Sequence, residues 1–288
     1  MHTIYIVFTL LFGSVLGSFT NVLIARLPRS ETITGRSHCP DCGTELGVLD
    51  LVPVLSYLVL RARCRYCGVG IPVRYPIVEA LGALLMLSAY MRFGADIGAL
   101  VISGVYVVFV LSVFFIDFTH AIVPNSLTYP VGIMALALAV AGHHMSPPLG
   151  SALLGMLIGG GVFLAMLLLT GGAGMGMGDV KLVAVMGLVL GPLKLLPAVL
   201  IAALSALAFY GVVALLYRSK IGELESFEIH MDQEDEPEIT DRFLGVMMIN
   251  GKPALPFGSF LGIGLWIAIL IGSTLAETWM RISQIQLG

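Results

Sequence analysis

Charge is what this chain has least of. Asp, Glu, Lys and Arg make up 11% of its 288 residues, where a soluble globular domain carries about 25%. Hydrophobic residues reach 58% and the mean hydropathy is +0.97, which excludes a soluble enzyme and a disordered chain together. Neither sign dominates. The net charge is −3 and the pI near 6.0, so nucleic acid is not an expected partner. The opening run MHTIYIVFTLLFGSVLGSF also lacks the basic n-region of a secretion signal; its basic residues, Arg26 and Arg29, follow the apolar stretch instead. That order predicts a retained first transmembrane helix with its N-terminus outside. No glycine-rich dinucleotide loop and no long internal repeat are found.

What is abundant is apolar length. A spanning helix needs about 20 mainly apolar residues, and eight stretches qualify: Ile4–Leu23, Pro76–Met91, Ile97–Ile116, Leu127–Ala141, Leu149–Thr170, Val180–Leu193, Leu195–Tyr217 and Leu255–Leu275. The sixth is short, and its fusion with the seventh into one broken helix is an open alternative. The expected fold is an all-α polytopic membrane protein of about eight transmembrane helices. Its 34 glycines, roughly 12% against about 7% on average, fit close helix contacts in a bilayer. The expected organisation is a first helix (1–27), a cytosolic cysteine module (28–75), a transmembrane core (76–217), an acidic cytosolic loop (218–254), and a last helix with a tail (255–288). Arg26, Arg29, Arg36, Arg61, Arg63, Arg65 and Arg74 put the first loop in the cytosol. Alternating sides then bring the regions around Asp117 and Asp179 there too. Arg92, Asp96, His143, His144 and Lys194 fall on the outer side.

Cysteine is scarce but patterned. The runs HCPDCG and RCRYCG place Cys39 with Cys42 and Cys64 with Cys67, 21 residues apart. Two C-x2-C pairs at this distance have the layout of a four-thiolate zinc site, structural in kind because no coordination position stays open. Gly43 and Gly68 suit the tight knuckle after each pair. Disulfides are disfavoured in a reducing compartment.

Carboxylates are rare in the spans. Asp117 ends the third in VLSVFFIDFTH, and Asp179 follows the fifth in GGAGMGMGDVKL. A charge within the bilayer costs about 2.5–3.5 kcal/mol on insertion scales. Singly, each can be a helix cap; Asp179 can be the N-cap of a helix starting at Val180. Together, on one membrane face, they form a candidate dyad. Two carboxylates sharing a site hold one proton between them, which supplies an acid and a base at one pH. The glycines before Asp179 leave room for an extended substrate backbone.

Four stretches, GSFTNVLIARLPR (Gly17–Arg29), the paired cysteine runs, RYPIVEALGAL (Arg74–Leu84) and GMGDVKL (Gly176–Leu182), resemble the bacterial type IV prepilin peptidases, aspartic membrane proteases of the GxGD class. IDFTHAIVPNSLT and ALPFGSFLGIG add to the likeness, which covers most of the chain outside 218–252. The resemblance implies cleavage of a basic leader from prepilins or pseudopilins at the cytosolic face of the bacterial inner membrane, with Asp117 and Asp179 as the catalytic pair. It also implies N-methylation of the new N-terminus with S-adenosylmethionine. The methyl-donor site is unassigned, with Glu79 as a candidate. Asn21 and Glu79 sit near cytosolic helix ends, and pairing of Glu79 with Arg74 is the simpler expectation for that carboxylate. His143 and His144 read as solvated, and Met175 and Met177 as packing. The acidic run Glu223–Asp241 reads as a solvated loop, with attraction of the basic leader as the sharper alternative. Competing readings are a GxGD peptidase for preflagellin-like substrates or one lacking methyl transfer, a cation- or proton-coupled transporter, and a non-catalytic assembly scaffold.

Overall fold

The protein was analysed as a computed structural model describing residues 2–172, 175–224, 239–243, 246–249, 252–253 and 256–285, with side chains described for 2–172, 175–213 and 256–271. Its helices are α1 (His2–Arg26), α2 (Leu55–Val59), α3 (Arg74–Phe93), α4 (Ile97–His120), α5 (Asn125–Val140), α6 (Leu149–Leu169), α7 (Met177–Leu224) and α8 (Phe257–Ile285). Five segments are long and apolar enough to cross a membrane: His2–Arg29, Arg74–Phe93, Ile97–His120, Leu149–Leu169 and Met177–Val213. Asn125–Val140 and Phe257–Ile271 are shorter apolar helices among the described residues. The all-helical membrane body is as expected.

The sixth and seventh apolar stretches are two helical arms, carried under the one label α7 and joined across a kink at Gly191 (φ 71°, ψ 172°) ahead of Pro192. Only glycine takes that backbone shape readily, and proline cannot restore the lost amide bond. A Cβ added to Gly159 of α6 would meet Val183 on the first arm and Leu195 on the second. Residues 183 and 195 are therefore level, and the second arm doubles back along the first.

Close helix contacts use the expected glycines. A Cβ on Gly17 of α1 would lie 2.6 Å from the Cα of Glu79, and Gly82 of α3 presses on the Gly13 backbone. Gly155 of α6 meets Gly187 of α7 in the same way. In lipid, where apolar burial between helices drives little, such backbone approach is what association relies on. α8 packs between α4 and α7, with Leu261 and Leu265 fully buried.

The two ends of the bundle differ. At one, Arg92 Nε donates to the Leu270 carbonyl at 2.8 Å, His144 Nε2 lies 3.3 Å from Asp96, and His2 meets Tyr90. Asp96 also caps α4, accepting from the Ala99 amide at 3.0 Å. The opposite end carries the cysteine module, the end of α4 and the start of α7. α7 continues seven residues past the expected end at Tyr217, and the interval before α8 contains a small antiparallel sheet of β1 (Ile239–Phe243), β2 (Val246–Ile249) and β3 (Lys252–Pro253), in that order. The acidic run falls largely outside the described residues.

Candidate active site and cysteine module

Asp117 lies inside the last turn of α4, which runs on to His120, and it is 5% exposed. Its Oδ2 accepts from the Ser259 amide at 2.8 Å and from Ser259 Oγ at 3.3 Å. Ser259 Oγ also reaches the Phe114 carbonyl at 2.8 Å. The first turn of α8 thus points its free amides at the carboxylate, the end of a helix that favours negative charge. The sequence reading did not single out Ser259. A signal was present in PFGS, where Pro256 precedes a helix start and Gly258 leaves the approach open. A Cβ on Gly258 would stand 3.0 Å from Asp117 Oδ2.

Asp179 is the third residue of α7, which begins at Met177 rather than Val180. Its Oδ2 accepts from the Gly176 amide at 3.3 Å while its own amide donates to the Gly176 carbonyl at 3.1 Å. The expected capping role is therefore real but reversed: the carboxylate reaches back from inside the helix, as in a capping box. Two of the preceding glycines have a local task. Gly171 (φ 60°) and Gly172 (φ 82°) close α6, with the Gly172 amide returning to the Leu167 carbonyl at 2.9 Å.

Val123, in the short link after α4, joins the two carboxylates' surroundings. It touches the Cα side of both Gly178, next to Asp179, and Gly258, against Asp117; an added Cβ at either would come 3.1 Å from it. Asp117 and Asp179 are near enough for their charges to interact. Phe114 and Phe118 stack at 5.9 Å and continue through Phe209 to Phe260, an apolar wall beside the pair that the sequence reading missed. Lys181 turns away, donating to Asn125 Oδ1 at 3.0 Å.

The four cysteines meet as the spacing predicted. Their sulfurs lie within 4.8 Å of one another, with Cys39 Sγ and Cys67 Sγ 3.9 Å apart, and all are free thiols. Zn–S bonds of about 2.3 Å put tetrahedral sulfurs about 3.8 Å apart, so the donor set fits one ion. The knuckles repeat each other. Gly43 (φ 69°) donates to the Cys39 carbonyl at 2.9 Å and Gly68 (φ 75°) to that of Cys64 at 3.0 Å. Asp50 ties the second knuckle down, accepting from Arg65 Nε at 2.6 Å, Tyr66 and the Gly47 amide. Burial pushes its carboxyl up, but the bonds from Arg65 and Gly47 outweigh that and hold it below the ordinary carboxylate value.

Between module and bundle is a cavity of about 570 Å³ lined by the ends of α1, α3 and α4. Glu79, 8% exposed, borders it, and its Oε2 accepts from the Val54 amide at 2.7 Å. The expected pairing with Arg74 is not formed among the described residues. Positions five apart on a helix face different sides, unlike three or four. Asn21 donates to the Tyr75 carbonyl at 3.1 Å. Arg74 Nε and Asn21 Oδ1 are buried with no protein partner. His143 and His144 lie at the far end, as expected.

The model of the bacterial Peptidase A24 N-terminal domain matches residues 11–93, and that of the type IV leader peptidase family matches residues 104–212. A protein named prepilin leader peptidase/N-methyltransferase from Aeromonas salmonicida (strain A449) is 31% identical over 308 residues, covering 96% of this chain and 94% of the relative. Its namesake from Aeromonas hydrophila is 32% identical over 307 residues, with the same coverage. That from Myxococcus xanthus (strain DK1622) is 38% identical over 232 residues, 76% of this chain and 66% of the relative. No solved structure matches at a significant level. With both models falling on the two halves that supply the module and the carboxylates, and relatives more than 30% identical aligned over as much as 96% of the chain, the chain belongs to the type IV prepilin leader peptidase family.

Proposed function

We propose that the protein removes leader peptides from type IV prepilins or pseudopilins and methylates the new N-terminus, with Asp117 and Asp179 as its hydrolytic pair. The observation that carries the peptidase half is the convergence of two rare carboxylates around Val123, beside the α8 start. The pair holds one proton. The ionised carboxylate takes a proton from water, whose oxygen attacks the scissile carbonyl carbon. The protonated partner donates to the carbonyl oxygen as the bond opens to a tetrahedral centre. The C–N bond then breaks, and the amine leaves with a proton from the pair. Because the two aspartates titrate as a unit, the roles of base and acid belong to the pair. The Phe114–Phe118–Phe209 wall keeps the centre apolar and lies where the hydrophobic helix following a leader would run.

The membrane orientation belongs to the same reading. Module and aspartates share one end of the bundle, and the arginines of 26–74 favour the cytosol. The bilayer is then the bacterial inner membrane, with the N-terminus outside. Four thiolates in a closed set fit a structural zinc ion held by Cys39, Cys42, Cys64 and Cys67. S-adenosylmethionine, when bound, would supply an electrophilic methyl group to the new amine, whose displaced proton would leave to water or a nearby carboxylate of the chain.

The test is incubation of the reconstituted protein with a candidate precursor, read by intact mass. Loss of the leader and a gain of one methyl are expected in the wild type, and neither in Asp117→Asn or Asp179→Asn. Cleavage by either variant at the wild-type rate would overturn the pair.

A further inference from the structure

We propose that the cavity between the cysteine module and α1, α3 and α4 is the methyl-donor site, with Glu79 facing the donor's sulfonium and Arg74 its carboxylate. This rests on the methyltransferase reading above and adds the place and the residues. About 570 Å³ lies within the 300–1,000 Å³ usual for small-molecule pockets. Tyr57 and Tyr75 offer ring faces and Ile71 and Leu60 apolar contact for a nucleoside, and many polar groups line the rest, Asn21, Arg74 and Glu79 among them. Two of these, Arg74 Nε and Asn21 Oδ1, are buried without a protein partner. Unpaired buried polar groups of this kind are rare unless something else satisfies them.

Glu79 is an unusual residue for its place. It lies five residues, about 7.5 Å, into an apolar helix, where a carboxylate is costly. One oxygen is held by the Val54 amide, and Val54 has a positive φ (φ 61°, ψ −47°), a genuine outlier for a β-branched residue. Strain of this sort persists where surrounding structure demands it, and functional sites are where it gathers. A carboxylate has about four acceptor positions, so the Val54 bond leaves capacity for a cation.

The position also links the two reactions. The cavity reaches Thr119 and His120, less than one helical turn beyond Asp117 on α4. An amine released at the aspartates would therefore reach the rim of this cavity within about 5 Å of helix rise, with no need to leave the membrane face.

The experiment measures binding of S-adenosylmethionine and of S-adenosylhomocysteine, its uncharged thioether product, to the full-length metal-loaded protein in lipid nanodiscs. Glu79→Gln keeps an acceptor for Val54 but removes the charge. We expect it to weaken S-adenosylmethionine about 10- to 100-fold and the thioether far less, a split that a merely structural latch would not produce. Arg74→Met should weaken both ligands alike. The methylated fraction of cleaved product, a ratio independent of cleavage rate, should fall with the first. Wild-type affinity for both ligands in both variants would overturn the location while leaving methyl transfer intact. No binding of either ligand to the wild type, with unmethylated product, would overturn the methyltransferase reading itself.

A separate observation concerns the outer face of the module. Between the cysteine pairs, Val48 (84% exposed), Leu49 (73%), Leu55, Leu58 and Val59 stand open, and the only charge in 48–59, Asp50, is tied to Arg65. α3 has 20 residues, about 30 Å, and needs all of them to cross the hydrocarbon core. Val54, bonded to Glu79 about 7.5 Å past that helix's first residue, is therefore at or inside the inner boundary, and Val73 and Ile77 at the same end of α3 are exposed too. We infer that Val48–Val59 is an interfacial element inserted into the leaflet, with Arg61 and Arg63 at the headgroups. Leu58→Trp and Leu49→Trp in the full chain, in vesicles of brominated lipid, should show blue-shifted emission quenched by shallow bromines once the Trp266 and Trp279 signal is subtracted. Water-like, unquenched emission would overturn it, as would a blue shift arising only when precursor is added.

Discussion

The cysteine module and the aspartate pair are two solutions to the same task, bringing polar side chains together in a chain with few of them. The module draws its four thiols from one stretch of 29 residues, and each half is organised by its own knuckle. The aspartate centre draws on three helices, with Asp117, Asp179 and Ser259 62 and 80 positions apart in turn. Local order suffices for the first. The second exists only because the end of α4 and the starts of α7 and α8 lie at the same level. A site of the first kind is expected to fail as a small unit when one ligand goes, whereas the second should lose chemistry while its helices stay packed.

The sharpest way to test that contrast is to compare substitutions at the two sites. Asp117→Asn and Asp179→Asn should lower cleavage by about 10²- to 10⁴-fold or more while membrane insertion and metal content hold; measured together on one preparation, loss of metal in either variant would break the contrast. Cys39→Ser should do the opposite, lowering bound zinc by elemental analysis and raising protease sensitivity within 28–75 more than it slows cleavage. Gly258→Ala tests the tertiary nature of the aspartate centre. Its new methyl would crowd Asp117 and Val123 at 3.0–3.1 Å, and a fall of about tenfold or more in kcat, with KM little changed, is expected. Ser259→Ala keeps the shorter, backbone bond to Asp117, removes the hydroxyl's bonds to Asp117 and to the Phe114 carbonyl, and should cost less than Gly258→Ala; an equal or larger loss would mean that the hydroxyl itself acts in the reaction.

The smallest effect belongs to Asp50→Asn. Because the folded carboxyl lies below its ordinary value, its stabilisation is present above the unfolded pKa of about 3.9. It is lost as pH falls through the folded value. A modest drop in module melting temperature should be seen at pH 7 and should vanish below about pH 3. A difference that persists in acid would remove the Arg65 pairing as its cause.

Much of this was legible in the residues because the relevant physics is short-range. Apolar runs fix where helices lie, and a C-x2-C pair followed by glycine states its own geometry. The start of α7 at Met177 was misplaced because Gly176 and Gly178 hide a helix N-terminus from any pattern of propensity. Ser259 went unread for a different reason. Its role depends on the side of α8 that meets α4, 142 positions earlier. Glu79 was read toward Arg74, since sequence proximity is visible and the return of Val54 across the module is not.

Composition and spacing thus determined by themselves that the chain lives in a bilayer, that its cysteines converge, and that two aspartates stand out. Hydrophobic transfer and ligand geometry act on neighbours, and neighbours are written in order. The tertiary structure alone decided that the α8 N-terminus meets Asp117, that Val123 stands against the glycines beside both aspartates, that α7 folds back at Gly191, and that a cavity opens beneath the module. Those outcomes come from glycine-mediated contacts between helices far apart in the chain, and the energy of such contacts depends on a fit that no single segment encodes.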